Sequence, residues 1–163
     1  MPESRAPSKL SRMLFDQYSL WPATAMAFRP VSEPGSRAVS TDVCVPISRL
    51  AECVTATAAD LEKSSLPVPL FGHVGDGNFH LVILVDPASK AELEESKAIN
   101  TRLVERALAM EGTCTGEHGV GLGKMGSMQL ELGDDVIDVM RDIKKVFDPD
   151  NLMNPGKVVP ELS

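Results

Sequence analysis

Basic clusters are missing from this 163-residue sequence: no block of Lys and Arg stands out, and the net charge is −7. A surface for nucleic acid or for an anionic membrane would show a basic stripe, so those classes are set aside. Long apolar runs are missing as well, and no stretch of the sequence is long enough to cross a bilayer as a helix. Cysteine is scarce. Cys44, Cys53 and Cys114 are odd in number, far apart and form no C-x-x-C pair. That argues against a disulfide scaffold, fits a reducing compartment and leaves them as small buried hydrophobes. No internal repeat is visible.

What is present suffices for one globular domain, with 43% hydrophobic and 24% charged residues. Residues 1–38 carry scattered prolines (Pro2, Pro7, Pro22, Pro30, Pro34) and no sustained period. They read as an irregular segment or linker. Arg5, Lys9, Arg12 and several serines there partly match a transit peptide, while Glu3 and Asp16 count against one.

The texture changes at Val39, and residues 39–163 read as the folded domain. Val39 to Pro46 alternates and ends on proline, which predicts a strand. Ser48 is placed to cap a helix whose inner face is Leu50, Val54, Ala58 and Leu61. Leu66 to Val74 and Phe79 to Val85 flank Gly75-Asp-Gly-Asn78, a hairpin signal. Ser89 and Glu92 have the spacing of a capping box for the next helix. Its inner stripe is Leu93, Ile99 or Asn100, Leu103, Ala107 and Met110, with Gly112 as the stop. A glycine-rich stretch runs to Gly126. A last helix from about Asp134 to Phe147 would bury Ile137, Met140, Ile143 or Lys144, and Phe147. The order predicts an α+β fold: a ferredoxin-like split β-α-β-β-α domain with an extra C-terminal helix.

The three histidines all sit in two glycine-rich segments, Gly72-His-Val-Gly-Asp-Gly-Asn-Phe-His80 and Gly116-Glu-His-Gly119. With Gly75 to Asn78 as the turn, His73 faces His80 across the hairpin. Directly opposed side chains share a face with Cβ atoms about 4.5–5.5 Å apart, so both imidazoles reach one metal ion. A register error of one residue would part them. Glu117 would complete a set of two histidines and one carboxylate, which leaves coordination positions open for a substrate. His118 diverges from Glu117 and is free to act as an acid or base near neutral pH. The plain alternative is structural histidines beside a turn and a polar loop.

Gly121-Leu-Gly-Lys-Met-Gly126 matches the dinucleotide pattern G-x-G-x-x-G letter for letter. That fingerprint follows a buried strand, and Thr113 to Gly119 does not read as one. Gly123-Lys124 also lacks the Ser or Thr of a phosphate loop.

Four segments occur in order: Ser40-Thr-Asp-Val-Cys-Val-Pro-Ile-Ser-Arg-Leu50, Gly72 to His80, Gly112-Thr-Cys-Thr-Gly-Glu-His-Gly119 and Leu152-Met-Asn-Pro-Gly-Lys157. Together they resemble the C-terminal domain of FAD-linked oxidases of the vanillyl-alcohol oxidase type, with the mitochondrial D-lactate dehydrogenase branch as the best match. The resemblance implies a substrate- and metal-binding domain whose FAD-binding domain is absent from this chain. It implies His73, His80 and Glu117 as ligands of a divalent metal, zinc or manganese, that holds a 2-hydroxy acid. It implies His118 as the base that takes the hydroxyl proton, Asn78 as a residue of the substrate pocket and Asn154 as a contact of the flavin. FAD would be held mainly by a flavin-binding domain in cis or in trans. The resemblance also implies mitochondria as the location and cytochrome c as an acceptor. The arginine that grips the substrate carboxylate in relatives has no assignable counterpart here, and Arg29 is not given that role.

The leading expectation is thus part of an enzyme that oxidises D-lactate to pyruvate with hydride transfer to FAD, inactive as an isolated chain. The glycolate oxidase and D-2-hydroxyglutarate dehydrogenase branches compete with it. So does a metal-binding module without catalysis.

Overall fold

The computed structural model describes residues 14–15 and 35–160. Its elements are β1 (Leu14–Phe15), β2 (Arg37–Ser40), β3 (Val43–Cys44), α1 (Ile47–Leu61), β4 (Leu70–His73), β5 (Asn78–Val85), α2 (Lys90–Leu108) and α3 (Met125–Phe147). The fold is α+β. β5 lies between β4 on one side and β2 and β3 on the other, all antiparallel to it. The strand of the hairpin that comes last is thereby inserted between the first strand and the one that follows α1, which is the split β-α-β arrangement. β1 runs parallel to β4 at the outer edge, within the segment read as irregular. The prolines of that segment, Arg5, Lys9, Arg12 and Arg29 lie outside the described residues.

The predicted strand Val39–Pro46 is found as β2 and β3, with Thr41 and Asp42 between them. Ser40 pairs with Val82 and Val43 with Phe79, so one register runs through the gap. There the Thr41 amide donates to the Leu81 carbonyl and the Leu81 amide to Thr41 Oγ1, each at 2.9 Å. The side chain thus takes over one rung of the ladder.

β5 is buried along its whole length. Phe79, Leu81, Ile83 and Val85 join Leu50, Cys53 and Val54 of α1 and Ile99, Leu103 and Ala107 of α2 in the hydrophobic core. Strand side chains alternate between faces, so Asn78 and His80 point away from that core. The sequence therefore builds a sheet with one apolar helix-covered face and an opposite face that is polar at the hairpin end, with Asn78 and His80, and apolar beyond it, with Val82 and Leu84.

The helices differ from expectation at their ends. α1 begins after Pro46, two residues earlier than a Ser48 cap would place it, and no side chain caps it. Ser89 does cap α2 by accepting from the Glu92 amide. Glu92 Oε2 accepts from the Asp86 amide at 2.7 Å instead of closing the box on Ser89. Glu111 rather than Gly112 takes the left-handed backbone after α2. Asp60 of α1 ties the two helices through Arg102 at 2.8 Å and Arg106 at 3.4 Å. Burial raises its pKa, but the two guanidiniums outweigh that and hold it below the usual carboxylate value.

α3 is longer than predicted. It starts inside the glycine-rich stretch and kinks at Gly133, so its second half begins at the expected Asp134. Ile137 is buried; of the alternatives Ile143 and Lys144 it is Lys144 that is partly covered, while Ile143 is 54% exposed, and Phe147, expected to be inside, is 75% exposed. Helical periodicity marks an apolar face, but the described residues cover only Met128, Ile137 and, in part, Met140 of it.

The hairpin turn is Val74–Gly77, not Gly75–Asn78. Val74–Asp76 forms a short 3-10 turn, and Gly77 has φ of 72°. A Cβ there would stand 2.0 Å from the Val45 carbonyl oxygen. Gly77→Ala is expected to destabilise the chain by roughly 1–3 kcal/mol through overpacking, with about 1–2 kcal/mol more from the left-handed backbone. A denaturant midpoint equal to the parent's would contradict this.

The three thiols are free, with Cys53 and Cys114 buried and Cys44 partly so. Burial, then the neighbouring Glu131, pushes the Cys114 thiol up to about 12, which makes it inert.

Candidate metal centre

The earlier turn shifts the hairpin pairing. His73 stands opposite Asn78, and His80 opposite Phe71. His73 and His80 were expected to be directly opposed. The shift is by two residues, and an even shift keeps every side chain on its face. The two imidazoles therefore still share the polar face, with ring centroids 5.9 Å apart.

A second feature brings the other segment to the same face. Thr113 pairs with Cys44 in an isolated antiparallel bridge, its amide donating to the Cys44 carbonyl at 2.8 Å. The bridge carries the chain after α2 across β3, so the next residues arrive over His80. Gly116 is required at the crossing, because a Cβ there would lie 1.9 Å from Asn78 Nδ2.

The result is a convergence on one carboxylate oxygen. Glu117 Oε1 is 3.1 Å from His80 Nε2, 3.6 Å from His73 Nε2 and 3.6 Å from His118 Nε2. His118 was expected to diverge from Glu117, but the tight loop turns both side chains the same way: its ring stacks on His80 with centroids 4.9 Å apart, and its Nε2 is as near Glu117 Oε1 as that of His73. The ligand atoms of His73, His80 and Glu117 all lie within 4.8 Å of one another, and so do those of Asp42, His80 and His118.

The tautomer of His80 follows from its surroundings. Nδ1 lies 3.1 Å from the Thr41 carbonyl, which can only accept, so Nδ1 carries the proton. Nε2 then points a lone pair at the Glu117 carboxylate. The ring is buried, and burial lowers its pKa despite the opposing pull of the Thr41 carbonyl and Asp42. A neutral nitrogen lone pair 3.1 Å from a carboxylate oxygen is repulsive unless a proton or a metal cation lies between them, and either can be shared there. Tetrahedral zinc with bonds of about 2.0–2.1 Å sets its ligand atoms roughly 3.3 Å apart. The donor set therefore fits a metal ion, and the Thr41 carbonyl is the outer partner that a metal-bound histidine ordinarily has.

The grouping with Asp42 fits less well. Asp42 is buried, and its carboxylate accepts from Lys124 Nζ at 2.9 Å and from the amides of Gly116, Glu117 and His118 at 3.0, 3.1 and 3.0 Å. Asn78 Nδ2 donates to its other oxygen at 3.1 Å. Burial pushes the Asp42 pKa up, but Lys124 and these donors more than reverse that and hold it well below the carboxylate range. Its lone pairs are already taken.

Asn78 lies in β5, with Nδ2 on Asp42 and an enclosed Oδ1 that lacks a hydrogen-bond partner. Asn154 is in an exposed turn with φ of 46°. The Val158 amide ties that turn to the Gly121 carbonyl at 2.8 Å. The segment Gly121–Gly126 does open α3 but follows no strand, and the Lys124 amine is spent on Asp42. It is no phosphate cradle. Sequence reasoning passed over Asp42 and Lys124. A carboxylate within the predicted strand Val39–Pro46 was the available signal.

The family model described as FAD linked oxidases, C-terminal domain, matches residues 14–158. The chain belongs to this family. As such a domain it is 50% identical over 149 residues to a probable mitochondrial D-lactate dehydrogenase of Danio rerio, covering 91% of this chain and 29% of that protein. It is 47% identical over 142 residues to a mitochondrial D-lactate dehydrogenase [cytochrome] of Arabidopsis thaliana, covering 87% of this chain and 24% of that protein. The Bacillus subtilis glycolate oxidase subunit GlcD is 34% identical over 143 residues, covering 88% and 30%. The chain thus spans less than a third of the length of these relatives. No helix of the described residues is long and apolar enough to cross a membrane.

Proposed function

We propose that this chain is the substrate- and metal-binding part of a flavin-dependent D-2-hydroxy-acid dehydrogenase that oxidises D-lactate. One observation carries the reading: three imidazole Nε2 atoms converge on Glu117 Oε1 within 3.1–3.6 Å. His73, His80 and Glu117 would hold the ion, zinc or manganese, and leave positions open for substrate. When bound, the ion supplies Lewis acidity to the carboxylate and 2-hydroxyl of a 2-hydroxy acid. Flavin, held by a separate domain, supplies the hydride acceptor.

The chain's own residues do the rest. His118 is half exposed beside the ligand set and takes the 2-hydroxyl proton on Nε2. Its stacking on His80 holds the ring in place. Thr41 fixes the His80 tautomer. Asn78, with Oδ1 lacking a donor, lines the substrate side, and the exposed Asn154 turn meets one edge of the flavin. The resemblance to proteins named mitochondrial and cytochrome-linked supports mitochondria and a cytochrome acceptor. The glycolate oxidase relative supports glycolate as the competing substrate.

The chain alone is expected neither to hold FAD tightly nor to reduce a dye with D-lactate. Mixed with the flavin-binding remainder of a relative and a divalent metal, it is expected to support D-lactate-dependent dye reduction faster than with glycolate or D-2-hydroxyglutarate. A stoichiometric yellow protein from the chain and FAD alone, active on D-lactate, would overturn the division of labour. Faster glycolate turnover would move the substrate assignment.

A further inference from the structure

The geometry points to Asp42, clamped by Lys124, as the residue that positions Glu117 and His118 over His80. This inference rests on the metal-centre reading above and adds a residue to it.

Asp42 sits in the gap between β2 and β3, where the continuous register sets it opposite His80. Its side chain is fully buried. Three successive amides, those of Gly116, Glu117 and His118, turn inward and donate to Asp42 Oδ2. Successive amides in a tight loop form a concave cradle for an anion. Here the anion is part of the protein. The cradle is therefore closed to a substrate carboxylate, and its function is to fix the loop. With those amides pinned, the backbone directs the Glu117 side chain toward His80 and His73 and the His118 ring onto the His80 ring.

Lys124 supplies the balancing charge. Its Nζ donates to both Asp42 Oδ2 and the Asp42 carbonyl, at 2.9 and 3.0 Å. Lys124 also immediately precedes α3. One buried ion pair thus ties the strand, the loop and the last helix, while Asn78 closes the other oxygen. A buried carboxylate with a matched cation and a full set of donors is held in one place, whereas removal of either partner leaves an uncompensated charge. Asp42 touches neither substrate nor the metal position in this arrangement. It acts through the loop, and its Oδ1 also lies 3.7 Å from His80 Nδ1.

The test uses the full chain, labelled with nitrogen-15, as parent, Asp42→Asn and Lys124→Met. In the metal-free parent the amides of Gly116, Glu117 and His118 should exchange slowly although the loop is exposed. In Asp42→Asn those amides should exchange at least about tenfold faster while amides of β5 and α2 keep their protection. Zinc affinity, measured against a competing chelator, should fall by about 10–100-fold, as for loss of an outer-shell partner. A merely structural role would loosen β5 and α2 along with the loop and leave the affinity of the folded fraction unchanged, and that result overturns the inference. So does a loop that exchanges as in the parent. If Asp42→Asn does not fold, Lys124→Met decides: zinc affinity at the parental value in a folded Lys124→Met chain overturns it. A parent chain that binds no zinc would sink the metal reading alone, because the amide exchange still decides the role of Asp42.

Discussion

His118→Ala is expected to cut D-lactate turnover by a factor on the order of 10²–10⁴ in the chain reconstituted with a flavin-binding domain, the usual contribution of a positioned base. Metal content should stay near the parental value. The reason lies in the two groups around Glu117. His73, His80 and Glu117 form one set of mutually close ligand atoms, while His118 shares such a set only with His80 and Asp42. Asp42 has no lone pair to spare, since six donors from Lys124, Asn78, the Thr115 hydroxyl and three loop amides already occupy it. His118 is thereby left beside the metal position with a free nitrogen. Turnover against substrate concentration, together with metal analysis of the same sample, checks the assignment. Loss of metal along with activity would make His118 a ligand and leave the proton without its acceptor.

The second large effect concerns the ligands. The His73→Ala, His80→Ala double variant is expected to lose tight zinc and manganese binding, by more than the roughly 10–100-fold that an outer-shell partner is worth. His73→Ala alone is the cleaner variant. His73 is about one-third exposed and can be removed with little change to the core, whereas His80 is buried at 3% side-chain exposure. His80→Ala also leaves the Thr41 carbonyl without its ring partner, so part of its effect is on folding. Titration of each variant with metal, with thermal unfolding in parallel, separates the two. A double variant that binds metal as tightly as the parent would remove both histidines from the site.

The candidate site was partly legible in the sequence because strand side chains alternate with a period of two. His73 and His80 are separated by an odd number of positions around a turn, and any even register shift keeps them together. The turn itself moved by one residue, from Gly75–Asn78 to Val74–Gly77, and the shared face survived. Glu117 and His118 were legible as chemistry between glycines, but not their place in space. That depends on the Cys44–Thr113 bridge, which stands after α2 where a further strand would otherwise pair with β3. Asp42 and Lys124 were missed for the same reason. Their hydrogen bond joins residues 82 positions apart, and no local period encodes it.

The helices show the limit from the other side. The core face of α2 was readable, with Ile99, Leu103 and Ala107 all buried. In α3 the same periodicity marked Ile143 and Phe147, yet both are exposed among the described residues. Periodicity names an apolar face and says nothing of what covers it. The glycines before Met125 read as a loop, although Met128-Gln-Leu-Glu-Leu132 are good helix formers and carry the helix to its kink at Gly133.

X-ray absorption at the zinc edge of the metal-loaded chain tests the central claim most directly. The account predicts a first shell of nitrogen and oxygen, with the outer scattering of two imidazoles, and of one imidazole in His73→Ala. A shell containing sulfur from Cys44 or Cys114, or one unchanged in His73→Ala, would contradict it.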